Sequence, residues 1–217
     1  MSTKSQEIQD KMTADIEAGK KAFRDAMSKA QTQIDAAAAD ISKLRASLKT
    51  ETAEAKARTM TRLDELTKNL DAARRDQETK IEEHLKQLHT QIDAANAELK
   101  TATAQGKVAA EEKAKTLRSE YDSARAALST ALDAELAEAK ARIGTMLDNV
   151  ADKKAEVKAA VQAKVADLQK KHEDAQKKVQ DLKKANAAAY DELRRGVRSA
   201  INDVHTAVRH ARSEYAA

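Results

Sequence analysis

Histidine is the residue type in this chain best suited to metal binding or proton transfer, and there are five: His84, His89, His172, His205 and His210. His84 and His89 stand five apart, as do His205 and His210, which on a helix separates the members of each pair by about 140°. Two histidines that hold one metal from a single helix stand three or four apart. No Glu or Asp stands three residues before any histidine, so the Glu-x-x-His element of a di-iron bundle is missing. Cysteine is absent, which removes thiol nucleophiles, zinc–thiolate sites and disulfides. There is no glycine-rich phosphate loop. The carboxylates mostly precede a cation by four residues: Glu17–Lys21, Glu54–Arg58, Glu82–Lys86, Glu111–Lys115, Glu138–Arg142, Glu173–Lys177 and Asp191–Arg195. Such pairs stabilise an exposed helix by about 0.2–0.5 kcal/mol each and account for the charge without a site. No enzyme, cofactor or metal centre is expected.

The remaining chemical feature is cationic. Arg194, Arg198, His205, Arg209 and Arg212 follow helical spacing and share one face, with Asn202 in the gap. The apolar residues Leu193, Val197, Ile201, Val204 and Val208 lie about 100° away around the same helix. A basic face beside an apolar one is how a helix lies on an anionic membrane, and it also follows a phosphate backbone. The plainer reading is a solvated face, or one paired with acidic residues of a neighbouring helix. Nucleic acid is disfavoured, because the stripe has no aromatic platforms and the rest of the chain is near neutral. The net charge is +4, with the excess in residues 151–217, which carry 15 Lys and Arg against 10 Asp and Glu.

The elements that position these residues are amphipathic helices. Residues 157–215 carry an apolar stripe at every third or fourth position. Its packing seam is Val157, Val161, Val165, Leu168, Val179, Leu182, Leu193, Val197, Ile201, Val204 and Val208, with His172, Ala175, Asn186, Ala189, Ala211 and Tyr215 filling in. Read by periodicity, this is one helix of more than fifty residues. Similar stripes run through Ile8, Met12, Ile16, Phe23, Met27, Ile34, Ile41, Leu44 and Leu48, through Met60, Leu63, Leu66, Leu70, Ile81, Leu85, Leu88, Ile92, Ala95 and Leu99, and through Leu117, Tyr121, Ala124, Leu128, Leu132, Leu136, Ala139, Ile143, Leu147 and Val150. Many steps read 4-4-3, a period of about 3.6–3.7 residues, which suits nearly straight helices. The helix formers Ala, Lys, Glu, Leu, Arg and Gln dominate, proline is absent, and aromatics make up 2% of the chain.

Three stretches lose large apolar residues, and turns are expected near 49–55, 100–107 and 148–153. In the second, Gly106 suits the left-handed conformation that closes a helix. In the third, Asn149 or Asp152 suits a helix cap. Thr3 and Gln6 have capping-box spacing for the first helix. The expected fold is all-α: a single elongated helical domain, 1–217, forming an antiparallel bundle or coiled coil of long amphipathic helices. Its alternative is a single hairpin closing at Gly106. No run reaches the length of a membrane span and the start is polar, so a cytoplasmic location is expected.

The stripes at 117–150 and 157–215, and segments such as AEAKAR at 53–58 and 137–142, resemble the bacterial apolipoprotein-like and phasin-like helical proteins. That resemblance implies coating of lipid or polymer granules. From the residues themselves, the first expectation is a structural or scaffolding protein that packs through its stripes against itself, as a homo-oligomer, or against another helical protein. The second is a peripheral protein of an anionic lipid or granule surface, using the C-terminal basic helix. Ala-rich seams permit close helix approach, and the narrow stripe favours protein–protein packing over lipid.

Overall fold

The computed structural model describes residues 3–48, 50, 52–148 and 155–215. These form five helices: α1 (Thr3–Ser47), α2 (Ala53–Thr101), α3 (Ala104–Asp148), α4 (Ala155–Lys184) and α5 (Ala187–Tyr215). There is no strand among the described residues. The fold is an all-α helical bundle. No helix among the described residues is long and apolar enough to cross a membrane.

Contacts divide the chain into two compact units, Met1–Gln87 and Leu88–Ala217. In the first, α1 and the leading part of α2 pack as an antiparallel hairpin. Phe23 stacks on His84 and Gln31 meets Gln77, so α1 positions rise as α2 positions fall. The core is Ile34 and Ile41 of α1 against Leu63 and Leu70 of α2, ringed by Ala37, Ala38, Leu44, Leu48, Leu66 and Ala73. Alanine at these flanking positions permits close helix approach. At the end of α1, Ser47 and Thr50 turn their hydroxyls onto the carbonyls of Leu44 and Ser47. The same two carbonyls also accept the backbone N–H groups of Leu48 and Thr50, at 3.2 and 3.0 Å, so side chain and backbone together close the end of α1.

In the second unit, α3, α4 and α5 each contact the other two. The end of α2 lies antiparallel on the start of α3, joined by Lys113–Glu98 at 3.0 Å and Arg118–Asn96 at 2.9 Å. The α2–α3 break falls at Ala102–Thr103. Gly106 therefore lies inside the first turn of α3, and no glycine among the described residues has a positive φ. The closing conformation expected of Gly106 is not adopted, because the break comes before it. Residues 149–154, with Asn149 and Asp152, lie outside the described residues, as do the side chains of Thr3 and Gln6.

The stretch 157–215 is not one helix. It breaks at Ala185–Asn186, and α5 folds back antiparallel on α4. Two local devices make the turn. Lys183 and Lys184 sit in the last turn of α4, where cations favour the carbonyl end of a helix. Asn186 then caps α5: its Oδ1 accepts the Ala189 N–H at 3.0 Å. A third device comes from far along the chain, where Arg125 of α3 donates to the Ala185 carbonyl. The seam folds onto itself and onto α3. Val161, Val165, Leu168, Val179, Leu182, Val197, Ile201, Val204 and Val208 are buried, and Val157 and Leu193 are half-buried.

Candidate functional site

The basic stripe lies on α5, and its members have different surroundings. Arg194 is half-buried, 3.7 Å from Asp191 of its own helix. Arg198 and His205 turn inward to Glu135 of α3: Arg198 Nη1 is 3.6 Å from one carboxylate oxygen and His205 Nε2 is 2.9 Å from the other. Arg209 is exposed and donates to the Thr206 hydroxyl at 3.3 Å. The side chain of Arg212 lies outside the described residues. A single open cationic face over Arg194–Arg209 is therefore not what the fold presents. Its middle is an ion cluster between helices.

Glu135 is the centre of that cluster. Its side chain is 7% exposed, and those of His205 and Arg198 are 11% and 25% exposed. The His205 contact is short enough for a hydrogen bond, yet its N–H is not aligned with the oxygen, so charge holds the pair when His205 carries its proton. One residue along α3, the Leu136 carbonyl lies 2.9 Å from His172 Nε2 of α4. A carbonyl only accepts, so Nε2 carries the hydrogen. Both buried histidines thus attach α4 and α5 to the same level of α3. Glu138 and Arg142, also on α3, pair at 3.2 Å with little exposure. The arrangement can fix helix register. It places no nucleophile beside a base.

A second cluster surrounds the α4–α5 turn. The Arg125 guanidinium stands 4.2 Å above the ring of Tyr190, which is 1% exposed, while Tyr121 meets Tyr190 edge-on at 6.3 Å. Burial pushes the Tyr190 hydroxyl up to about 12 against the opposing charge of Arg125. Burial raises Tyr121 too, again against Arg125. These groups brace the turn from α3.

The other histidines stay apart. His84 stacks on Phe23 with ring centroids 4.0 Å apart, and burial lowers its affinity for a proton. His89 is exposed, 3.5 Å from Asp93. No group of three or more potential metal ligands occurs among the described residues. Of the charge pairs four residues apart, Glu138–Arg142 forms, whereas Glu17 meets Lys20 and Asp191 meets Arg194.

Glu135, Arg125 and Tyr190 were not singled out in the sequence, and Asn186 was read as filling the seam rather than as a helix cap. Glu135 gave no signal of its own: it stands beside Leu136 of the α3 stripe and reads as an ordinary solvated carboxylate until α5 packs against it. Comparison with known proteins finds no family model, no curated protein and no solved structure that matches this chain.

Proposed function

We propose that this is a non-enzymatic structural protein whose long helices pack together and self-associate, or dock on another helical protein, in the cytoplasm. One observation carries the reading. The longest apolar stripe, the surface most able to enter lipid, lies buried among α3, α4 and α5. Helices covered in this way turn charged faces outward. Any partner then meets rows of Lys, Arg, Asp and Glu rather than an apolar stripe. The inward turn of Arg198 and His205 supports the same reading, since it takes both side chains from the face a membrane would need.

Two measurements on the purified chain test this. Far-UV circular dichroism without lipid should give strong helicity with a cooperative melt, and sedimentation should give a species larger than one chain. Flotation with phosphatidylserine-containing vesicles at moderate salt should leave the protein in solution. Flotation that disappears on changing Arg194, Arg198, Arg209 and Arg212 together to Gln would replace this reading with that of a lipid- or granule-surface protein.

A further inference from the structure

The outer face of α4 carries two charge rows of equal pitch and opposite sign. Lys164, Lys171 and Lys178 form one, and Asp167, Asp174 and Asp181 the other, with each Asp three residues after its Lys. Successive members are seven residues apart, about 10.5 Å along the axis. The buried stripe of α4 keeps the same heptad: Val161, Leu168, Ala175 and Leu182 alternate with Val165, His172 and Val179. The helix that presents the rows and the core that anchors it therefore share one period, and the rows run straight along the seam. Lys171, Asp174, Lys178, Asp167 and Asp181 are exposed, and Lys164 is half-buried. Beside them runs a shallow groove of about 570 Å³ toward α5, with Ala200, Asp203, Thr206, Ala207 and His210 on its α5 side.

Resting on the self-association proposed above, we infer that α4 is the contact surface, and that its occupant is α4 of a second copy related by a twofold axis. The charges select that occupant. The six side chains sum to zero, so a partner of one sign gains from one row and is repelled by the other. A nucleic acid or an acidic helix would meet the Asp row. An antiparallel second α4 pairs both rows at once, with the exposed Lys170 and Lys177 at the edge of the Asp row turning into solvent. With the axis between His172 and Glu173, Lys171 faces the partner's Asp174, Lys178 faces the partner's Asp167, and Lys164 faces the partner's Asp181. Each contact recurs by symmetry, as a self-complementary interface requires. The competitor is pairing within one helix: Lys171 lies 3.1 Å from Asp167, with both side chains about half exposed. Exchanging exposed pairs for exposed pairs gives a weak, salt-sensitive dimer rather than a tight one.

Sedimentation equilibrium of the full chain at micromolar concentration tests this, using the four exposed central positions. Self-association should weaken at least about tenfold between 50 and 500 mM NaCl. The variants Lys171→Glu with Lys178→Glu, and Asp167→Lys with Asp174→Lys, should each lose self-association by about tenfold or more. Mixed in equal amounts they should associate again, because one now carries acidic rows and the other basic rows. That rescue separates lost pairing from lost folding, and circular dichroism of each variant checks helicity. If the wild-type chain is monomeric at low salt, both this surface and the self-association reading fail. If it associates but the variants associate equally, or their mixture does not recover, this surface is wrong and self-association stands.

Discussion

Changing Glu135 to Gln should destabilise the α3–α5 contact. The substitution keeps shape and removes charge. Glu135 Oε1 lies 2.9 Å from His205 and Oε2 lies 3.6 Å from Arg198, with the carboxylate 7% exposed. Removing one partner of a buried ion pair costs about 3–5 kcal/mol, because the other charge stays buried without compensation. Here the loss is smaller. Arg198 is a quarter exposed and can turn toward water. A loss of about 2–3 kcal/mol follows, or roughly 6–15 °C in the melting midpoint for a unit of this size. Tyrosine fluorescence is the assay, since the three tyrosines, Tyr121, Tyr190 and Tyr215, all belong to Leu88–Ala217 and there is no tryptophan. The signal therefore follows that unit alone. Changing Glu135, Arg198 and His205 together to Leu should recover most of the stability, because a buried ion cluster and its apolar replacement are often close in energy. A Gln variant within about 0.5 kcal/mol of the parent would refute the reasoning. Glu135 would then be a bystander to the packing around it.

Two further outcomes follow from the α4–α5 turn. Burial raises the Tyr190 hydroxyl from 10.0 to about 12, so the folded state favours the neutral phenol more than the unfolded chain does. Its contribution is full below about pH 10 and is lost as pH climbs through about 12. Urea midpoints should therefore fall over that interval, and more steeply for the parent than for Tyr190→Phe. Asn186→Ala removes the cap on the Ala189 N–H and should cost about 1 kcal/mol, read as faster hydrogen exchange in the first turn of α5.

The helices and their buried faces were legible in the local pattern. Val161, Val165 and Leu168, or Ile34 and Ile41, recur at helical spacing among charged residues, and burying them is the one way to remove that surface from water. Helix formers without proline, together with that period, point to long helices. Where the chain turns and what meets each face were decided by tertiary structure. Leu182, Asn186, Ala189 and Leu193 continue the stripe in phase, so periodicity runs straight through the break at Ala185–Asn186. The cap at Asn186 becomes visible only once the helix stops there. Arg125, which holds the turn, lies 60 residues away. The same distance explains the basic stripe. Its spacing on α5 follows from the sequence, but whether Arg198 and His205 face water or a carboxylate depends on Glu135, brought to them by the α3–α5 packing. Periodicity acts over a few helical turns, whereas the pairing of charges depends on which helices become neighbours.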